Sequence, residues 1–387
     1  MGFVEAERIA RKAERRHQAG DAIAAERLYG EALVACPGHA RSLHGLGCLA
    51  HAARRPDIAI GLIGQAVAAA PEVAPYMISL GLALLDRGHL EEARAALAVA
   101  VLRDDTDARA HRALAQALSR LGRLEAAEAS LGRAIALEPG TAAAHLSLGG
   151  VLRARGAMAD ARVALLAATR LAPGDPLAWH ALAALDAETG ALEAAEAAFR
   201  RAATLLPDDP AAQANLGTAL FGLDRLEAAR PCLERARALA PDNPATLSSL
   251  GLVLIGLGES REAETMLAAA SHLAPQSDAI AINHGTALAA LERNAEAEAV
   301  YRRVLSRAPT QAQARFNLAA MLLARGARRE GWAAFEARLE FPGREPPGLP
   351  RWDGGAVARG TVLIRPSRGW ATVCSSCVGW RRRRGKQ

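Results

Sequence analysis

PAAQANLGTALFGLDRLEAARPCLERARALAPDN, residues 210–243, is one copy of a pattern that runs through nearly the whole 387-residue chain. A step of 34 residues in either direction returns the same residue types. Pro37, Pro71, Pro139, Pro173, Pro207, Pro241, Pro275 and Pro309 share this period, with Asp105 in the one gap. Twelve residues before each stands an alanine: Ala25, Ala59, Ala93, Ala127, Ala161, Ala195, Ala229, Ala263 and Ala297. In the first half of each unit a Leu-Gly or Leu-Ala pair recurs, as in Leu46-Gly47, Leu80-Gly81, Leu114-Ala115 and Leu216-Gly217. A mid-helix glycine costs about 1 kcal/mol relative to alanine, so its repetition predicts a close helix approach.

A turn follows, marked by Gly88, Gly122, Gly156, Gly190 and Gly258. The second half of the unit sets a large apolar residue four positions after the alanine: Tyr29, Ile63, Leu97, Leu131, Leu165, Phe199, Leu233, Leu267 and Tyr301. That spacing places both on one helix face. The proline stops the second helix, and Asp175-Pro176, Asp209-Pro210 and Asn243-Pro244 supply an N-cap and an N1 proline for the next unit.

This pattern closely resembles the tetratricopeptide repeat, whose unit is a pair of helices with this period. The resemblance predicts an all-α fold, a right-handed α-solenoid of about ten helix-turn-helix repeats with a short irregular C-terminal tail. The solenoid spans 1–341, with repeats at 6–39, 40–73, 74–107, 108–141, 142–175, 176–209, 210–243, 244–277 and 278–311 and a tenth helix pair at 312–341. The consensus aromatic near the start of the first helix survives only at Trp179.

Charge sits unevenly along the chain. The formal net charge is +6, and residues 366–387 hold Arg368, Arg381, Arg382, Arg383, Arg384 and Lys386 without an acid, so the preceding residues sum to zero. A neutral repeat array argues against a nucleic-acid surface, which calls for a basic stripe along the fold. Five scattered cysteines, Cys36, Cys48, Cys232, Cys374 and Cys377, do not suggest a disulfide framework. The first three are expected in helices as core or groove thiols. Cys374-Ser-Ser-Cys377 has CxxC spacing but no second pair, and no metal or cofactor is expected. No apolar run suits a signal peptide or a membrane span, so the expected location is cytoplasmic. His111 and His145 share one repeat position, which suits packed or exposed imidazoles better than a metal site. Glu91, Glu92, Glu125, Glu193 and Glu227 cluster at the starts of second helices, where they favour the helix dipole. The motifs GxxxxGK[ST], HExxH and GxSxG do not occur, and no catalytic residue is assigned.

Tetratricopeptide repeats line their concave side with the first helix of each pair. The position before the leucine of each Leu-Gly pair reads Gly45, Ser79, Ala113, Ser147, Ala181, Asn215, Ser249, Asn283 and Asn317. An asparagine there can both donate to and accept from a passing peptide backbone. Asn215, Asn283 and Asn317 partly resemble the asparagine ladder of protein O-GlcNAc transferases. The alternative is that small polar residues merely fit a tight concave surface. Arg112, Arg153 and Thr218, with the apolar Ile78, Leu82, Leu85, Phe221, Leu252, Ile255, Ile282 and Phe316, complete a groove of alternating basic and apolar zones. It suits an extended peptide or partner protein.

After the tenth helix pair the repetition stops. Gly331-Trp332 and Phe335-Glu336-Ala337-Arg338 precede a proline-rich linker (342–365) with Trp352-Asp353-Gly354 and an apolar run, Thr361-Val362-Leu363-Ile364. This order is similar to the junction of bacterial proteins that join such repeats to a glycosyltransferase-like domain. There the first strand leads into a loop reading E-Q-G-L-G-D. Here RPSRGWATVCSSCVGWRRRRGKQ stands instead. Given GC-rich codons from Pro366 onward, a one-base frame change can read as that loop, so residues 366–387 are expected to be a frameshifted, disordered tail and the strand to lack a sheet. The alternative is a genuine basic tail for nucleic acid or anionic lipid. Two functions follow: a protein-interaction scaffold, or the substrate-recognition arm of a glycosyltransferase whose catalytic domain is absent here. The ligand and the oligomeric state are not legible.

Overall fold

The computed structural model describes residues 2–337 and two short strands at 361–364 and 371–374. The chain divides into two compact units, Met1–Leu291 and Glu292–Gln387. The first holds helical hairpins in chain order: α1 (Gly2–Gln18) with α2 (Ala22–Ala35), α3 (Ala40–Ala52) with α4 (Pro56–Ala69), α5 (Ala74–Arg87) with α6 (Leu90–Arg103), α7 (Ala108–Arg120) with α8 (Leu124–Leu137), α9 (Ala142–Ala154) with α10 (Met158–Leu171), α11 (Pro176–Glu188) with α12 (Leu192–Leu205), α13 (Pro210–Gly222) with α14 (Leu226–Leu239) and α15 (Pro244–Gly256) with α16 (Ser260–Leu273), then α17 (Asp278–Ala290). The second holds α18 (Asn294–Arg307), α19 (Ala312–Ala324), α20 (Arg328–Phe335), β1 (Thr361–Ile364) and β2 (Ala371–Cys374).

Each hairpin closes by the same local chemistry. The turn residue is left-handed at Gly20, Gly88, Gly122, Gly156, Gly190, Gly258 and Gly326, and at Arg54, Asp224 and Glu292 the same repeat position holds a side chain at φ near 60°. Between hairpins, Asp175 and Asp209 accept from the backbone N–H of Leu177 and Ala211, and Asn243 accepts from Ala245 and Thr246. These bonds satisfy N–H groups that the helix start leaves open.

The core is built from three of the repeated rows. The nine alanines are at most 1% exposed, and the large apolar residues four positions on are buried with them. The glycines meet those side chains. A Cβ on Gly149, Gly217 or Gly251 would lie 2.5, 2.6 or 2.5 Å from Cγ of Leu165, Leu233 or Leu267. The paired leucine is buried at Leu182, Leu216 and Leu250, but only partly buried at Leu46, Leu80, Leu114 and Leu148.

Two expectations change. Cys36 is the C-cap residue that follows α2, not a helical position. The strand 361–364 does find a partner: β1 and β2 pair antiparallel, with Thr361 opposite Cys374 and Ile364 opposite Ala371. Pairing satisfies main-chain groups that a lone strand leaves open, so residues 371–374 are regular where disorder was expected. Arg338, Pro342, Pro346, Pro347, Pro350, Trp352-Asp353-Gly354, Cys377 and Arg381–Arg384 lie outside the described residues.

Candidate functional site: the inner row of helices

Within the first unit the odd-numbered helices form a row of their own. α1, α3, α5, α7, α9 and α11 each touch the next in the row, as do α13, α15 and α17, whereas even-numbered helices make no comparable contact with one another. α11 and α13 are joined by Asn215, whose Nδ2 lies 2.9 Å from His180 Nε2. Close approach along one side and separation along the other make the odd helices the inner row.

Side-chain bonds across this row span 35 residues, one more than the repeat. His44 Nε2 lies 2.9 Å from Ser79 Oγ, His51 Nε2 2.8 Å from Asp86 Oδ2, and Asn283 Nδ2 donates to Ser248 Oγ at 3.0 Å. Arg120 donates to the Leu85 carbonyl at 2.6 Å, and Arg153 lies 3.6 Å from Glu188. Three residues of the predicted groove row, Ser79, Asn215 and Asn283, are therefore bonded to the preceding inner helix. Ser147 is exposed and Ser249 half-buried on the same row. Arg112 is half-buried on α7, and the half-buried Phe221 packs against the core that includes Leu216 and Leu220. Asn317 and Phe316 stand on α19 in the second unit. Asn317 Oδ1 accepts from Gln313 at 2.8 Å and its Nδ2 approaches Tyr301 Oη at 3.4 Å. Phe316 stacks on Phe335 at 5.5 Å, and Trp332 meets Phe335 edge-on at 5.5 Å.

Sequence reasoning missed the other half of these pairs. His44, His180 and Ser248 occupy the position before the groove row, and the available signal was a polar residue 35 positions upstream of Ser79, Asn215 and Asn283. It also missed the surroundings of His44. The ring stacks on Tyr76 at 4.4 Å and lies 3.4 Å from Cys48 Sγ. Burial pushes the imidazole down to about 4 and the Cys48 thiol up, so both groups are neutral near pH 7.

His111 and His145 have a structural role that the repeat position explains. Their Nε2 atoms donate to the carbonyls of Asp105 and Pro139, six residues back, at 3.0 and 3.1 Å. Trp179 Nε1 and Gln213 Nε2 do the same to Pro173 and Pro207. The consensus aromatic position thus holds an N–H donor through four successive repeats. Among the described residues no group of three or more His, Cys, Asp or Glu could hold a metal ion, and no helix is long and apolar enough to cross a membrane. One open hollow of about 580 Å³ is lined by Arg237, Leu247, Met266 and His272, most of them on the even helices α14 and α16.

Comparison with known proteins bears on the fold. No curated protein matches the chain. Among solved structures, a chain of the APC/C hetero-tetramer Cut9–Hcn1 superposes with a TM-score of 0.50 over 85% of each chain, at 15% identity. PilF of Pseudomonas aeruginosa gives 0.48 at 22% identity over 54% of this chain and 94% of its own. The YrrB protein, described as having an unusual peptide-binding site, gives 0.44 at 20% identity over 48% of this chain and 95% of its own. A family model for the tetratricopeptide repeat matches residues 44–111, 112–176, 248–312 and 282–337, and a second model for the same repeat matches 187–245. Repeat by repeat, the chain belongs to the tetratricopeptide repeat family, whose members in general mediate protein–protein interactions.

Proposed function

We propose that this protein is an interaction scaffold whose inner row of odd-numbered helices binds an extended segment of a partner protein. One observation carries the reading. α13 and α15 contain no charged residue, yet Phe221, Leu252 and Ile255 on them are only half-buried and Thr218 is exposed. Adjacent half-exposed apolar groups on one face suit an apolar partner. In this reading Asn215 and Asn283, whose Nδ2 groups are engaged, keep Oδ1 as an acceptor for a passing backbone N–H, and Ser79, Ser147 and Ser249 border the same path. A repeat-only architecture is typically non-catalytic, and the scaffold needs no chemistry.

Selection of displayed random 16-residue peptides on the full chain tests this reading. Thr218→Arg, at an exposed inner position, is expected to abolish binding of the selected peptides. Val163→Glu, at an outer position 68% exposed, is expected to leave it unchanged. The opposite pattern contradicts the reading.

The motif from Gly331-Trp332 to Phe335-Glu336 favours a second reading, in which the repeats select the substrate of a glycosyltransferase domain supplied elsewhere. Re-sequencing the coding region across residues 364–370 tests it. A restored E-Q-G-L-G-D loop supports that arm, and an unchanged frame removes its basis.

A further inference from the structure

The inner row changes chemistry along its length. α3, α5, α7 and α9 carry six arginines, Arg41, Arg87, Arg109, Arg112, Arg120 and Arg153, against one acid, Asp86. α11, α13, α15 and α17 carry no lysine or arginine at all. Arginine is not scarce in that half of the chain, because the outer helices α12, α14 and α16 hold Arg200, Arg201, Arg230, Arg235, Arg237 and Arg261. The cations are excluded from the inner face only.

Three of the six arginines are neutralised in place. Arg41 bridges Glu7 and Glu14, Arg87 pairs with Asp57 at 2.8 Å, and Arg109 pairs with Asp107 at 2.8 Å. The other three stand on α7 and α9. Among the described residues Arg112 and Arg120 have no carboxylate partner, and Arg153 has only Glu188 at 3.6 Å. Arg112 is half-buried, and a cation partly withdrawn from water without an acid beside it is one that an incoming carboxylate stabilises.

We propose that the partner segment is two-part, with an acidic stretch lying over Arg112, Arg120 and Arg153 and an uncharged apolar stretch lying over Phe221, Leu252 and Ile255. This rests on the inner row being the binding surface. Charge complementarity selects the acidic part. The apolar part is selected by exclusion as well as attraction, because a charged residue over α13 and α15 loses hydration and gains no partner. A single-stranded nucleic acid matches the arginines but not the cation-free half, where a polyanion has nothing to neutralise it.

The same peptide selection, followed by anisotropy titrations of the recovered sequences, tests the pairing. The expected binders combine Asp or Glu with Leu, Ile, Val or Phe, and weaken as salt rises from 50 to 300 mM. Arg112→Glu/Arg120→Glu is expected to weaken them at least tenfold, exposed Arg153→Glu to weaken them measurably, and Arg201→Glu on outer α12 to leave them unchanged. Circular dichroism confirms that each variant folds, and Arg153→Glu keeps the test valid if the half-buried Arg112 does not tolerate reversal. Binders without acidic enrichment, or indifferent to all three inner-face reversals, overturn the two-part partner while leaving the groove. Tighter binding of a single-stranded oligouridine probe to the same arginines also overturns it. Failure to recover any binder overturns the groove reading beneath it.

Discussion

At the residue scale, packing in this chain is decided by single carbon atoms. Gly217 lies where an added Cβ falls 2.6 Å from Leu233 Cγ, while Gly132 on α8 has nothing within 4 Å. Alanine is the better helix former by about 1 kcal/mol, so the two sites separate propensity from space. Gly132→Ala is expected to raise the unfolding free energy by up to about 1 kcal/mol. Gly217→Ala is expected to lower it by about 1–3 kcal/mol, because overpacking outweighs propensity. Chemical denaturation of the two variants checks both signs. His44 gives a pH-dependent counterpart. Burial holds it near 4, below its ordinary 6.5, so on acidification the unfolded chain takes the proton first. Its contribution is intact above pH 6.5 and is lost as pH falls toward 4, by up to about 3 kcal/mol. Wild type is therefore expected to lose more stability than His44→Gln between pH 6.5 and 4, and parallel losses contradict the assignment. The glycine row was visible in the sequence because equivalent positions recur every 34 residues. The His44–Ser79 and His180–Asn215 pairs were not, because they join non-equivalent positions 35 apart and a period search aligns only like with like.

At the element scale, hairpin closure is uniform and its exceptions are informative. The turn position is left-handed throughout, and at Asp224 a side chain adopts φ 58° where most repeats use glycine. That conformation costs an ordinary residue about 1 kcal/mol. Asp224→Gly is expected to stabilise the chain by up to about 1 kcal/mol, and Gly122→Ala to destabilise it by a similar amount, both read by thermal unfolding. Pro231 stands inside α14, where it removes a main-chain donor. Helix starts were legible from Asp-Pro and Asn-Pro, since caps and fixed φ act locally. The pairing of β1 with β2 was not legible, because the second strand lies in a stretch with no periodicity of its own.

At the scale of the whole molecule, the proposed binding surface rests on which helices share a row. Composition gives a neutral repeat array and hides the segregation, because the inner arginines of α3–α9 are balanced by acids elsewhere. Only assignment of odd helices to one row exposes a basic stretch followed by a cation-free one. The row itself was legible from repeat register. Which of its residues are engaged with neighbours, and which are available, required coordinates. Amide hydrogen exchange on the full chain, with and without a saturating selected 16-residue peptide, locates the bound segment. Slowed exchange is expected in peptides from α7, α9, α13 and α15 with α8, α10, α14 and α16 little changed. Protection concentrated on those even helices would contradict binding along the inner row.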